Sequence, residues 1–558
     1  SFALLMKARE DDRRLFSNPP KLNIIALQDS QPERLDAFSQ DLANTSLEKS
    51  DLKELLYLFE HSSTFGSLIQ IPAAFAKKLP ELESKLNTAL ASGDIFAQQS
   101  AQELLPLVQQ AKLLAKQYDA VIANPPYMGG KGMNTALKDF AKKKFPDSKS
   151  DLFAMFIERG FAWCKESGFN SMVTMQSWMF LSSYETMRER VLKERSIITL
   201  VQIGYNSFPE MNSKIAQACL FSVIKTNIKC IKAKYINLNN APQAADKNQI
   251  FLNRNEDIIF ERNQDDFKKI PGLPLAYWIS DSILNNFSKY QKFSTSNIAV
   301  KGLDTCDNDR FIRLWYEIDE FKFAISSDLK KKWFPYMKGG DFRKWYGNSE
   351  YVVNWENEGH ELKNFYNDKG VLKSRPQSIS KYFLEGISFN SITSGIPSFR
   401  YMKNAIFGGG GSAIFSKSDI FNVLGFINSK IAIYLINSLN PTLNILVGDI
   451  LNLPCHLIPN NSIKNIVALS QKDWDSYEIS WDFTQNPIIR TEQSNLEQAF
   501  NSWQQQNADA VAEMKRLEEE NNKLFIDAYG LQDELTPDVP DEQITLTRAD
   551  REKDSQRL

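Results

Sequence analysis

The sequence predicts an α/β protein: an open sheet, preceded by helices, then an α+β domain and a long C-terminal helix. Three observations predict it. From Tyr118 onward short apolar strands alternate with helical patterns. From about Gly272 to Pro459 brief β-like runs rich in aromatics alternate with Gly, Asn and Asp turns. After Ser494 the apolar residues keep three- and four-residue steps as far as Gly530. At 558 residues the chain exceeds what one core supports, so two to four domains of about 100–200 residues each are expected.

Taken in order, residues 1–116 read as helical, with Leu52, Leu55, Leu56 and Leu58-Phe59 at helical spacing. Ser1 to Arg9 reads as the middle of an amphipathic helix, so the chain is expected to begin inside a domain. Residues 117–230 form the sheet core: strand Tyr118–Ala123, helix 150–165, strand 170–176, helix 183–193, strand 197–203 and strand 216–224. A polar connector is expected over 231–271, followed by the α+β domain at 272–460, with one helix near Val423 to Leu439. The Gly408 to Ser412 run lies between apolar pairs and reads as a turn between strands rather than a linker. Residues 461–530 are a helical region, in which Ser494-Asn495-Leu496-Glu497 has capping-box spacing and Gly530 suits a C′ position. Leu496, Phe500, Trp503, Asn507, Ala510, Met514, Leu517, Asn521, Leu524 and Ala528 fall on a heptad seam, open to packing on its own domain or on a partner. The polar, Pro-containing tail 531–558 is expected to be mobile.

Hydrophobic residues make up 42% and charged residues 24%, as in ordinary globular proteins, and the net charge of −2 carries no argument for nucleic acid. Such a partner must be argued from local patches. Cys164, Cys219, Cys230, Cys306 and Cys455 are widely spaced without a C-x-x-C pair, beside only three histidines. That pattern argues against a disulfide framework and a zinc site and predicts a reducing, cytoplasmic setting. Neither a secretory leader nor an apolar run of about 18 residues is present, so no membrane partner is expected.

The chemistry is expected at Asn124-Pro125-Pro126-Tyr127, directly after an apolar strand, where open α/β sheets place their ligands. At average residue frequencies this tetrapeptide arises by chance in well under about 1% of chains of this length. An exocyclic amine on a nucleobase is a poor nucleophile because its lone pair is delocalised into the ring. An Asn side-chain oxygen and a neighbouring backbone carbonyl can accept its two hydrogens and favour a tetrahedral, attacking nitrogen. Proline suits both following positions because it fixes the backbone without a competing N–H. Tyr127 offers a face on which an extruded base can stack.

These residues resemble motif IV of the amino-methyltransferases of the gamma order, which bind the target base and orient its amine. Ser150-Asp151-Leu152-Phe153 looks like motif V, so the resemblance implies that Asp151 and Phe153, with Asn124, line a pocket for S-adenosylmethionine. Asn170 to Ser177 is similar to the next strand, and Phe208 resembles the motif VIII aromatic that packs against the flipped base. The run Asn124 to Asn134, together with Gly339-Gly340-Asp341-Phe342-Arg343-Lys344-Trp345-Tyr346 and Asn440-Pro441-Thr442-Leu443-Asn444, is similar to the PglX methyltransferases of BREX phage-defence systems. That resemblance spans most of the chain. It implies a Rossmann-like methyltransferase sheet, present in part, and a target-recognition domain at 272–460. It also implies adenine-N6 methylation of duplex DNA as a mark of self, with other BREX components as candidate partners. The Gly129-Gly130-Lys131-Gly132 run lacks the spacing of a phosphate loop. Between Ser1 and Asp119 there is neither the family's Gly-rich cofactor loop nor the acid that follows it, so this chain alone is expected to bind S-adenosylmethionine weakly. Cys306 stands where the family pattern has Gly, and a different turn is expected there.

From Lys330 to Tyr346 six cations face one acid and alternate with glycines and aromatics. The pattern suits a surface that neutralises phosphates, and Lys331, Lys338, Arg343 and Lys344, with Arg310 and Arg313 upstream, are the candidate DNA contacts. The other reading puts Trp333, Phe334 and Trp345 in a core with solvated lysines. Two further functions stay open from the residues: a specificity or interaction subunit without its own catalysis, and part of a fused restriction-modification enzyme, for which no nuclease carboxylate cluster is identified.

Overall fold

The computed structural model describes residues 6–7, 9–10, 13–14, 17, 23–205, 217–242, 245–324, 331–391, 395–408, 410–440, 445–491 and 493–548. The chain divides into two compact units, residues 1–178 with 186–264 and residues 179–185 with 265–558.

The first unit opens with helices α1 (Leu35–Asp41), α2 (Lys49–Leu58), α3 (Ala73–Leu90) and α4 (Ile95–Ala115). Their apolar stripes meet in one core that holds Leu52, Leu55, Leu79, Leu86, Leu104 and Val108. Asp94 starts α4 by accepting from the backbone N–H groups of Phe96 and Ala97 at 3.0 and 3.3 Å. The sheet follows: β1 (Tyr118–Ala123), helices α5 (Thr135–Lys144) and α6 (Leu152–Trp163), β2 (Cys164–Met175), α7 (Glu185–Glu194), β3 (Ser196–Gly204) and β4 (Ala218–Ile224). Its order is β1-β2-β4-β3-β5-β6, where β5 is Lys232–Asn237 and β6 is Ile259–Asn263, separated by α8 (Lys247–Asn253). The polar connector expected at 231–271 therefore contributes two strands to this sheet: in β5, Ala233 and Tyr235 are buried, while Lys232 before them and Lys234 between them are exposed.

β1 runs parallel to β2, and β4 returns antiparallel between β2 and β3. The two faces of these strands differ. On one, Met172, Leu200, Phe221 and Val223 are buried, and α6 lies so close that a Cβ on Gly160 would come within 2.6 Å of Asn170 Oδ1 and Met172 Cε. Buried Arg159 ties α6 to the helical layer through the carbonyls of Ser67, Ile69 and Leu114, and its desolvation pulls the guanidinium down to about 10. On the opposite face Ile122 is 83%, Phe169 41% and Leu220 38% exposed. β1 pairs with β2 alone, so its other edge is free among the described residues.

The second unit holds two four-stranded sheets, β14-β10-β11-β9 and β13-β12-β15-β8. In chain order they are β8 (Asn297–Val300), β9 (Ile312–Leu314), β10 (Trp333–Met337), β11 (Tyr351–Asn354), β12 (Gly386–Asn390), β13 (Phe399–Met402), β14 (Ile406–Phe407) and β15 (Gly411–Ser416), after a two-residue β7 (Gln291–Lys292). The glycine run thus passes the chain from one sheet to the other; a Cβ on Gly408 would lie 2.5 Å from the Tyr336 hydroxyl. Cys306 takes φ +56°, so the turn keeps a left-handed conformation with a cysteine in it.

The single helix expected at 423–439 is two, α9 (Ile420–Ile427) and α10 (Lys430–Leu439), bent by 63°. The break falls at Asn428, whose amide bonds both backbone groups of Phe399, and Ser429 caps the second helix. No single helix among the described residues is long and apolar enough to cross a membrane. Helix α11 (Ser462–Trp474) and the 34-residue α12 (Leu496–Tyr529) share one core with β12, β13 and β15, so 461–530 is not a separate region. Asn495, rather than Ser494, caps α12, and Gly530 takes φ +67° as its stop. Met514, Leu517 and Asn521 of the heptad seam are buried in this unit, which decides that half in favour of its own domain, whereas Leu496 is exposed. The tail expected to be mobile packs down as far as Arg548 through buried Leu531, Val539, Ile544 and Leu546; residues 549–558 lie outside the described residues.

Candidate active site

β1 delivers Asn124 to Tyr127 at its C-terminal end, the position expected from the sequence. Asn124 and Pro126 are exposed, Pro125 is buried, and the Tyr127 hydroxyl stands 3.4 Å from Asn124 Oδ1. At that length the contact is weak, so Asn124 Oδ1 keeps capacity to accept from a ligand amine. The Tyr127 ring meets Phe153 edge-on, with centroids 6.1 Å apart, and partial burial pushes the phenol up to about 12. Tyr127 is therefore a neutral ring at any physiological pH, suited to stacking rather than to proton abstraction.

The loop after the motif is stitched to the start of α6. Asp151 Oδ1 accepts from Met128 N at 3.0 Å and from Phe153 N at 3.3 Å, Leu152 N donates to Met128 O at 3.1 Å, and Gly130 N to Ser150 O at 3.2 Å. Burial raises the Asp151 carboxyl above its ordinary value, against these backbone bonds, which lower it. Asp151 thus has a bracing task that the cofactor reading did not include, and Phe153 is buried beneath Tyr127 rather than open to a ligand. Phe208 lies outside the described residues. Asp151→Ala should cost about 1 kcal/mol through removal of a helix cap and loosen the motif loop. Urea unfolding of the variant and single-turnover methyl transfer by the complete protein check the two effects separately; unchanged values in both would show that Asp151 does not brace the loop.

The sequence reading missed what lies beside the motif. On the buried face of β2 and β4, Thr174 Oγ1 is 3.5 Å from Cys219 Sγ; beyond that rung Gln202 Nε2 donates to Gln176 Oε1 at 3.0 Å, and Gln176 Nε2 to Gln217 Oε1 at 2.5 Å. The signal was present: Asn170, Thr174 and Gln176 share the parity of buried Met172, so the inward face of the strand is polar toward its end. Lys247 Nζ, from α8, bonds the carbonyls of Ile203 and Tyr205 at 2.5 Å. Desolvation holds this lysine below its ordinary value.

In the second unit the predicted DNA contacts separate. Arg343 pairs with Asp473 at 2.8 Å and donates to the carbonyls of Tyr346 and Ser470; Lys344 pairs with Glu518, with both side chains buried, and Trp345 Nε1 donates to the same carboxylate at 2.6 Å. Residues 343–345 therefore clamp their loop to α11 and α12, and Arg343 and Lys344 are corrected from DNA contacts to structural ion pairs. A buried indole N–H needs an acceptor, and the carboxylate that supplies it needs a cation. Lys338 is half-buried, 4.2 Å above the Tyr351 ring, and Lys331 bonds Phe321 O. Arg310 pairs with Glu361 at 2.8 Å, and Arg313 lies over Trp333 at 5.9 Å. These four keep partial access to solvent; Lys330 lies outside the described residues.

Residues 22–208 match the Eco57I restriction-modification methylase family. The chain is similar to adenine-specific methyltransferases. It is 38% identical over 576 residues to the adenine-specific methyltransferase BrxX of Escherichia coli O9:H4 (strain HS), covering 98% of this chain and 46% of that protein. It is 33% identical over 582 residues to the adenine-specific methyltransferase PglX of Lacticaseibacillus casei (strain Zhang), covering 99% of this chain and 48% of that protein. The chain spans about half the length of the curated relatives it matches. Among solved structures, the type IIL restriction-modification enzyme MmeI in complex with DNA is similar at TM-score 0.45 and 13% identity, over 90% of this chain and 76% of that one.

Proposed function

We propose that the complete protein is a site-specific DNA adenine-N6 methyltransferase, to which this chain contributes the target-base motif and the target-recognition unit. The observation that carries this reading is the Asn124 to Tyr127 motif at a strand end, on a loop held to α6 by Asp151. S-adenosylmethionine, when bound, supplies an electrophilic methyl group on a sulfonium. Asn124 Oδ1 and an adjacent backbone carbonyl would accept the two hydrogens of the adenine amine and leave its lone pair free to take the methyl carbon from the sulfonium sulfur, with one amine hydrogen then lost as a proton. Tyr127 holds the extruded ring by its face.

The residues present fit the reacting end of that donor through exposed Asn124 and half-buried Tyr127, whereas no side chain among the described residues is identified for its methionine or ribose. The free edge of β1 and the exposed Ile122, Phe169 and Leu220 favour a further segment of the complete protein that extends the sheet and completes the donor site. Calorimetry should accordingly show micromolar S-adenosylmethionine binding by the complete protein and much weaker binding by this chain alone; micromolar binding by the isolated chain would overturn that division. A role in marking host DNA within a BREX system, in the cytoplasm and beside other defence components, follows from the resemblance and belongs to the proposal. Five unpaired cysteines agree with a reducing setting.

Duplex binding is assigned to Lys331 and Lys338, with Arg310 and Arg313, rather than to the ion-paired Arg343 and the buried Lys344. Lys331→Ala and Lys338→Ala should each weaken binding to specific and scrambled duplexes alike and reduce the salt slope by about 0.9 for each phosphate no longer neutralised. A salt titration measures both. Unchanged slopes in the double variant would make these lysines a solvated face.

A further inference from the structure

Glutamine is an uncommon occupant of a sheet interior, because each primary amide must keep its donors and acceptor satisfied away from water. Gln176 and Gln202 are only 2% and 1% exposed, and they sit at the end of the sheet that carries the motif. Beyond the Thr174 and Cys219 rung on the same face, Met172, Phe221 and Leu200 are apolar and buried. An apolar residue at 176, 202 or 217 would extend that core without any polar group to satisfy. The amides instead form a directed row. Gln202 donates into Gln176, and Gln176 into Gln217, so the NH2 group of Gln217 is left at the half-exposed end with no partner among the described residues. Gln176 N also donates to Gln217 O at 2.8 Å, which fixes the two residues side by side on neighbouring strands.

The row and the motif share one end of the sheet. β1, which delivers Asn124 to Tyr127 at its C-terminal end, runs parallel to β2 with Ala123 opposite Met172, and Gln176 follows β2 at that same end, beside Gln217. The Gln217 amide therefore lies at the sheet end that carries Asn124 and Tyr127. Asn124 and its neighbouring carbonyl consume both hydrogens of the target amine, so they do not read the rest of the base. The unshared electron pairs of adenine lie on its ring nitrogens, which accept hydrogen bonds.

We propose that Gln217, held by the row Gln176 and Gln202, is a specificity contact that donates to a ring nitrogen of the methyl-accepting adenine. This rests on the methyltransferase reading above. Gln217 touches the base, and Gln176 and Gln202 are positioning residues that fix which way its amide faces.

The test uses the complete protein, S-adenosylmethionine and duplexes that carry adenine, 1-deazaadenine, 3-deazaadenine or 7-deazaadenine at the target position, with single-turnover rates as the readout. The wild type should be slowed about 10- to 100-fold on one of these analogues relative to adenine, the range of one good base contact. Gln217→Leu should be slowed by a similar factor on adenine and be indifferent to that same analogue. Gln176→Leu should show a smaller loss with the same analogue profile flattened, and Gln217→Asn should recover part of the discrimination. Thermal midpoints establish that each variant is folded; Gln217 is half-exposed, so its replacement leaves the core intact. Retention of the full wild-type analogue profile by Gln217→Leu, at any absolute rate, would overturn the proposal and leave the row as a sheet-end brace. A wild type that binds the duplex and transfers no methyl to adenine would fail at the earlier step and overturn the methyltransferase reading together with this contact.

Discussion

Replacing Asn124 with alanine in the complete protein is expected to lower the rate of methyl transfer by about 100- to 1000-fold or more, the loss typical of removing one preorganised acceptor or donor at a reacting centre, while duplex affinity stays within about twofold. The reason is geometric. Asn124 is exposed at the end of β1 and makes only a 3.4 Å contact with Tyr127, so its loss removes a ligand contact rather than a structural one. Single-turnover kinetics beside a binding titration separate the two quantities. Tyr127→Ala should weaken transfer less and raise the apparent dissociation constant for the duplex, because stacking stabilises the extruded base, whereas Tyr127→Phe should be close to wild type, since the phenol stays neutral up to about 12. Transfer at near wild-type rate by Asn124→Ala would remove this residue from the chemistry.

The second large effect is on stability. Glu518→Ala should reduce the unfolding free energy of the second unit by about 3–5 kcal/mol, the loss typical of breaking a buried ion pair from one side. It would leave the Lys344 ammonium, and the Trp345 indole N–H that donates at 2.6 Å, without their acceptor. Against a total of about 5–15 kcal/mol for a typical domain, that loss shifts a urea transition visibly or prevents folding. The paired replacement Lys344→Met with Glu518→Leu should recover much of the stability, because neither charge is then buried alone. A single variant with the wild-type urea midpoint would show that the loop is held by Arg343 and Asp473 instead.

The motif, the strand that carries it and the long helix with its Gly530 stop were legible in the sequence, because each rests on local chemistry: a run of apolar residues ending in Asn-Pro-Pro-Tyr, a side-chain cap, a residue with φ > 0. What was not legible depends on tertiary partners. Arg343 and Lys344 alternate with aromatics as a phosphate-binding surface would, and only the position of Asp473 and Glu518, 130 and 174 residues away, decides that they face inward. The strands at 232–237 and 259–263 were hidden because β5 carries Lys232 and Lys234 at alternate positions and β6 carries Glu261 and Arg262 at the sheet edge, where one side of the strand meets water. The bend at Asn428 could not be read from an apolar run that continues through it, since its cause is the backbone of Phe399. At the candidate site, Asp151 was read as a ligand contact by motif, and its bracing of the loop was not legible because it depends on Met128 N, 23 residues away; the amide row was signalled only by three polar residues of one parity.

The central claim is that the motif at the end of β1 methylates the N6 atom of adenine in duplex DNA. The most direct measurement is mass spectrometry of nucleosides released from a duplex library incubated with the complete protein and S-adenosylmethionine carrying a labelled methyl group. Label is expected in N6-methyl-2′-deoxyadenosine, confined to one short sequence context and abolished by Asn124→Ala. Label in a methylated deoxycytidine, or N6-methyl-2′-deoxyadenosine formed equally well by the Asn124→Ala protein, would contradict the claim.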